Sequence, residues 1–97
     1  MSYQKVKFKE WDCTITTKKY SNGRTAIELV DAEDGMPIAV ATVNLPDVSL
    51  KPDEVFIKDW SENEGIMDVL IKAGIISPTI GATRTGFVIA TKHKLLI

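Results

Sequence analysis

The chain contains one cysteine, Cys13, and one histidine, His93. A lone cysteine excludes an internal disulfide and fits a reducing compartment. One cysteine and one histidine cannot build a transition-metal site without carboxylates. No apolar run approaches the roughly 18–20 residues that cross a bilayer as a helix. The opening residues Met1-Ser2-Tyr3-Gln4-Lys5 lack the apolar stretch of a secretory signal. The expected location is therefore the cytoplasm, of a bacterium or of a cell infected by a virus. The Gly-Lys-Ser/Thr ending of a phosphate loop is missing too. So is an excess of charge of one sign: the net charge is −1, which disfavours a uniformly basic nucleic-acid binder.

What is present describes an ordinary globular chain. Its 97 residues suit a single domain, residues 1–97, with 44% hydrophobic and 26% charged residues. The charges are segregated: Lys5, Lys7, Lys9, Lys18, Lys19 and Arg24 lie early, Asp53, Glu54, Asp59, Glu62, Glu64 and Asp68 later. Such a dipole can orient partners or favour head-to-tail association.

Two turn signals, Asn22-Gly23 and Asp34-Gly35, sit between strand-like runs and predict a three-stranded antiparallel meander. The first strand is expected from Val6 to Lys18, with a bulge or bend at Trp11-Asp12. A three-residue loop, Ser21-Asn22-Gly23, with Gly23 left-handed, sets Ile15 opposite Leu29, Thr16 opposite Glu28 and Thr17 opposite Ile27. That register gathers Cys13, Ile15, Ile27 and Leu29 on one face, whereas a one-residue slip mixes polar and apolar residues. A two-residue loop at Asp34-Gly35 would set Leu29 opposite Val40 and Asp31 opposite Ile38, on a third strand from Pro37 to Asn44. The second and third strands would then be apolar on both faces. One helix cannot cover both faces of that ribbon, so the remainder is covered either by the N-terminal segment and the Leu95-Leu96-Ile97 tail or by a second subunit.

A fourth strand is expected at Val55–Trp60. Ser61 and Glu64 have the spacing of a capping box, and Ile66, Val69, Leu70 and Ala73 form a helical stripe ended by Gly74. Ser77 to Gly86 reads as a loop, Phe87 to Lys92 as a fifth strand, and Leu95-Leu96-Ile97 as an apolar tail. The predicted fold is α+β: a curved, mostly antiparallel sheet of about five strands (β-β-β-β-α-β) with one amphipathic helix packed on it.

Chemistry is sparse. Cys13 and His93 make a nucleophile–base pair only if the fold joins them, and Cys13 falls on an apolar face where an inert thiol is expected. Ser61 is better explained as a cap than as a nucleophile. Asp31, Glu33 and Asp34 alternate like an acidic loop but read as a solvated turn. Lys5, Lys7 and Lys9 share a strand face, and Lys18, Lys19, Tyr20 and Arg24 extend the positive charge at the hairpin end; this protects an edge from pairing more readily than it binds single-stranded nucleic acid.

Two polar clusters are candidate ligand sites. At the strand-to-helix junction 58–65, Asp59 and Asn63 would contribute polar groups and Trp60 an apolar wall. In the loop 79–86, glycines and threonines such as Thr85 offer backbone donors, and Arg84 could clamp an anion. Arg24 is the other arginine able to do so.

The strings Asn22-Gly23-Arg24-Thr25-Ala26-Ile27-Glu28-Leu29-Val30-Asp31, Ala41-Thr42-Val43-Asn44-Leu45-Pro46, Val55-Phe56-Ile57-Lys58-Asp59, Ser61-Glu62-Asn63-Glu64-Gly65 and Thr85-Gly86-Phe87-Val88 read together. They resemble a family of small proteins of unknown function carried by phages and conjugative elements of gut bacteria, over about Phe8 to Val88. The resemblance supplies no activity. It implies an accessory gene of a mobile element, a class that often serves host takeover or counter-defence. The resulting expectation is a non-enzymatic, homo-oligomeric binding module that acts through a protein surface and uses no cofactor. Two alternatives stay open: an oligomer sequestering a small anionic ligand such as a signalling nucleotide, and a single-stranded nucleic-acid binder.

Overall fold

The computed structural model describes residues 4–97, so the opening Met1-Ser2-Tyr3, read above as free of a secretory signal, lies outside the described residues. Seven strands and one helix follow in order: β1 Lys5–Phe8, β2 Trp11–Lys19, β3 Thr25–Asp31, β4 Pro37–Val40, β5 Glu54–Ile57, α1 Ile66–Lys72, β6 Gly81–Thr85 and β7 Val88–Lys94. The fold is α+β with antiparallel pairing, but it has two sheets where one of about five strands was expected: β1-β2-β3-β4 and β5-β7-β6. The chain beyond β4 stitches them together. Ala41 N–H donates to Ile27 O at 2.8 Å, Val43 N–H to Phe56 O at 3.1 Å and Lys58 N–H to Ala41 O at 2.8 Å.

The register of β2 against β3 is the expected one, with Ile15 opposite Leu29, Thr16 opposite Glu28 and Thr17 opposite Ile27. Gly23 is left-handed (φ 85°), and its N–H donates to Tyr20 O at 2.9 Å, closing the bulged loop. The other turns differ from expectation. The first strand is a hairpin rather than one bent strand: Phe8 pairs with Trp11 across Lys9-Glu10. Lys9 takes the left-handed conformation (φ 57°), its ammonium 5.3 Å from the Phe8 ring centre and donating to Glu62 O at 2.7 Å.

The turn after β3 is longer than the two residues expected. Asp31 N–H donates to Met36 O, while the Asp31 and Asp34 carboxylates accept from Glu33 and Met36 N–H at 2.8 and 3.0 Å. Those aspartates build the turn, as short acidic side chains do. Leu29 therefore faces Ala39 and Glu28 faces Val40, with a bulge between Leu29 and Val30. The shift sends Val40 to the outer face, where it is 44% exposed.

In this register the central strands have a mainly apolar inner face and a mixed outer face. Inward, Val6, Phe8, Cys13, Ile15, Ile27 and Leu29 share one core with Val55, Ile57, Ile66, Leu70, Ile75 and Ile76. Outward, β2 and β3 present Thr14, Thr16, Lys18 and Glu28 together with Ala26 and Val30, with Lys18 Nζ 3.2 Å from the Glu28 carboxylate. The protomer's own second sheet and helix cover the face that needed covering.

The helix starts later than its capping box implied. Ser61–Asn63 forms one 3₁₀ turn with Ser61 left-handed (φ 56°), and α1 begins after Gly65 (φ 95°). Gly65 is the N-cap residue and no side chain caps the helix; the Asp59 carboxylate accepts from Gly65 N–H at 2.6 Å, bracing the junction just before α1. Ile66 and Leu70 are fully buried, with Val69 and Ala73 packed beside them. Gly74 (φ 74°) ends the helix: its N–H donates to Ile71 O, Ile75 N–H donates to Leu70 O, and Ile75 is buried against the core. No helix among the described residues is long and apolar enough to cross a membrane.

Candidate interaction surface

The residues singled out as ligand contacts are largely occupied by the fold. Arg24 donates from Nη1 to Leu45 O at 2.6 Å and from Nη2 to Val48 O at 2.7 Å. It clamps the connector between the two sheets. A shallow cavity of about 290 Å³ lies beside it, but Glu54 lines that cavity together with Lys19 and Lys51. At the junction, Asp59 is spent on Gly65 N–H, and Asn63, 2% exposed, donates from Nδ2 to Val40 O at 2.7 Å. Trp60 is half-buried, with extended backbone, at the start of the 3₁₀ turn. The exposed Glu62 carboxylate is held below its ordinary range by its own backbone N–H and by Lys58, whose ammonium is 3.0 Å away.

Asp59, Trp60 and Asn63 are thus brought together, but as the joints of a strand-to-helix connection. Arg24 is not with them, and Arg84 and Thr85 sit on β6 at the other sheet. Their segment is a strand rather than the expected loop. Thr85 pairs with Val88, and Arg84, exposed, pairs with Ile89.

Cys13 and His93 form no hydrogen bond with each other. Cys13 is buried, with Sγ 3.7 Å from Trp11 O, and burial followed by the Asp31 charge pushes its thiol up. Both nitrogens of buried His93 have partners at 2.8 Å: Nδ1 with Ser77 O, and Nε2 with Thr91 Oγ1. A carbonyl only accepts, so Nδ1 carries the proton and Nε2 accepts from the threonine hydroxyl. Burial holds this imidazole below its ordinary pKa, against the opposing pull of Ser77 O and Asp59. It is a satisfied core histidine. Among the described residues no group of three or more His, Cys, Asp or Glu is placed to hold a metal ion.

The aromatic residues of the first hairpin do not share a face with Lys5 and Lys7. Phe8 and Trp11 pair on the inner side of the first hairpin, Phe8 within the core, while Lys5 and Lys7 stand on the outer side with Thr14 and Asp12.

The surface that stands out is the β6–β7 hairpin, which sequence reasoning passed over by treating half of it as a loop. Its two-residue turn, Gly86-Phe87, holds Gly86 left-handed (φ 61°) and leaves the Phe87 ring fully exposed. Ile80, just before β6, is 53% exposed and Ile89 on β7 is 59% exposed. The pairing puts Ala82, Arg84, Ile89 and Thr91 on one face. Met67 of the helix reaches Thr91, with Thr91 Oγ1 3.5 Å from its sulfur, and the helix ends its cover there. Beyond Thr91 the hairpin projects with apolar side chains and one arginine uncovered.

β6 is also an edge strand, with no partner on its outer side among the described residues. In the other sheet the edge strand β1 carries Lys5 and Lys7, the usual device against edge pairing. β6, Gly81-Ala82-Thr83-Arg84-Thr85, has neither lysine nor proline. One signal was available: Gly86-Phe87 lies between two threonine- or valine-rich runs, as a hairpin turn does. Comparison with known proteins returned no match to any protein-family model, curated protein or solved structure.

Proposed function

We propose that this chain is a non-enzymatic binding module whose working surface is the β6–β7 hairpin, and that it acts by protein–protein contact. The observation that carries the reading is the hairpin itself: Ile80, Phe87 and Ile89 exposed around an unprotected strand edge, with Arg84 among them. Exposed aromatic and arginine side chains beside aliphatic ones are the composition of binding hot spots. Such a patch has no role in holding the protomer together. The resemblance to small mobile-element proteins supplies the setting, an accessory gene working in the cytoplasm on a host component in takeover or counter-defence. Homo-oligomerisation belongs to the same reading, moved from the central ribbon to this edge.

Sequestration of a small anion draws less support, because Arg24 is committed to two carbonyls and Arg84 lies on an open strand. Single-strand binding draws less again, because the lysine face carries no aromatic side chain.

The test is a photo-crosslinking amino acid placed at position 87, in cells carrying the gene, compared with the same group at exposed Asn22. Adducts that form at 87 and not at 22, with one protein species (a host protein or this chain), are the expected result. Equal, diffuse labelling at both positions would refute the reading.

A further inference from the structure

We infer that the β6 edge pairs with the β6 edge of a second copy of this chain, antiparallel and centred on Thr83, joining two three-stranded sheets into one of six. The inference rests on the hairpin being the working surface and names its occupant. A symmetric dimer uses the same patch twice. When two antiparallel edge strands meet about a two-fold axis normal to the sheet, each face stays continuous, so one residue must stand opposite its own copy.

Three residues of β6 could take that central place with most of the strand paired, and their chemistry separates them. Centring on Arg84 sets two guanidiniums directly opposite each other, a destabilising like-charge pair. Centring on Ala82 leaves Arg84 and Thr85 facing chain outside the strand. Centring on Thr83 pairs all five residues: Thr83 with itself, Gly81 with Thr85, and Ala82 with Arg84 of the second copy. Each arginine then lies over a small alanine, and the two guanidiniums sit on a diagonal. Threonine opposite threonine is a favourable cross-strand pair. The same register sets Gly86 of one copy opposite Ile80 of the other, so the exposed Phe87 ring falls beside Ile80 and covers it. One register thus accounts for the missing edge lysines, the small residue at Ala82 and the bare rings at the hairpin tip.

Five ladder positions a side is modest against the roughly 1,200 Å² total that a stable interface buries. The dimer is therefore concentration-dependent, with dissociation in the micromolar range. Directly opposite residues have Cβ atoms about 4.5–5.5 Å apart, near the disulfide range, whereas diagonal ones are about 7–8 Å apart.

The experiment is a cysteine scan under mild oxidation, with the parent protein as background because its Cys13 is buried. Thr83→Cys is expected to form a disulfide-linked dimer by itself. Ala82→Cys and Arg84→Cys are expected to stay monomeric separately and to crosslink when mixed. Sedimentation of the unsubstituted protein should show mass rising from one chain to two across the micromolar range. Crosslinking of Ala82→Cys or Arg84→Cys alone, or a single-chain mass at every concentration, would overturn the inference. A single-chain mass together with adducts at position 87 to another protein would overturn only the self-pairing and leave the binding surface standing.

Discussion

Arg24 separates a structural role from a ligand-binding one, and the two give opposite results on substitution. Its guanidinium reaches the carbonyls of Leu45 and Val48 at 2.6 and 2.7 Å, one from each Nη. Hydrogen bonds from charged donors contribute about 1.5–3 kcal/mol each. The residue is half-exposed, so screening and competing water pull the pair to the low end, about 2–3 kcal/mol together. Arg24→Ala removes both bonds; Val48 O loses its side-chain donor, while Leu45 O keeps the Val48 N–H at 3.0 Å. For a domain of this size, 1 kcal/mol moves the melting temperature by about 4–8 °C, so a fall of about 8–24 °C is expected. Arg24→Lys keeps one point-like donor and cannot span both carbonyls, so its loss should be about half as large. The assay is urea and thermal unfolding of the three proteins, with parallel melts in phosphate and in a nucleotide panel. A clamp predicts two destabilised variants with the same small response to anions as the parent. An Arg24→Ala variant within about 0.5 kcal/mol of the parent would refute the clamp, because that is the ordinary range for a surface substitution.

His93 predicts an acid-side loss of stability in a definite window. Its folded pKa lies below the ordinary 6.5, so as pH falls past 6.5 the unfolded chain takes up a proton the folded one refuses. Stability should be full above that value and decline as pH falls toward the lowered folded pKa; His93→Gln should abolish the slope between pH about 7.5 and 5, and an unchanged slope would sink the assignment. Asn63→Ala should cost about 1–3 kcal/mol by orphaning the Val40 carbonyl, and Asn63→Asp more, since a carboxylate cannot donate to it; chemical denaturation with Asn63→Asp no worse than Asn63→Ala would contradict this. Phe87→Ser should leave the unfolding midpoint of the monomer within about 0.5 kcal/mol of the parent, since the ring touches no core; a larger loss would mean the hairpin tip is structural.

How much of this was legible in sequence depended on whether local chemistry chose between alternatives. The β2–β3 register was readable because one face is threonine and lysine, the other isoleucine and leucine, so a slip would have been costly. The β1–β2 hairpin was not. Its turn residues are Lys9-Glu10, with no Gly or Asn, and Lys9 holds its left-handed backbone beside the Phe8 ring and a carbonyl far along the chain. β6 was hidden by its own composition. Glycine and threonine suggest a loop, and neither face of an exposed edge hairpin alternates strongly enough to show a period of two. At the helix start the expected capping box does not form: Ser61 sits in the preceding 3₁₀ turn, and α1 begins after Gly65, whose N–H the Asp59 carboxylate holds. Arg24, Asp59 and Asn63 were read as candidate ligand contacts, and in the structure each bonds a backbone group. Nothing in a linear pattern reveals that a guanidinium will find two carbonyls beyond the next strand.

Salt separates the two remaining accounts of Arg84. In the dimer centred on Thr83 the two Arg84 residues lie on a diagonal, their strand positions about 7–8 Å apart. That is close to the Debye length of about 8 Å at physiological ionic strength, so their weak repulsion is screened as salt rises. The ladder hydrogen bonds are neutral, and burial of Phe87 and Ile80 is unaffected or strengthened by excluded salts. Self-association should therefore hold or increase between about 50 and 500 mM salt. An anion held by an exposed arginine behaves the other way, because the same screening weakens the attraction. Sedimentation across that salt range, at a fixed protein concentration near the midpoint of assembly, measures the sign directly. A dimer that dissociates as salt is added would mean that opposite charges hold the copies together. The early basic and late acidic segments would then be the contact, head to tail, and the β6 edge would not.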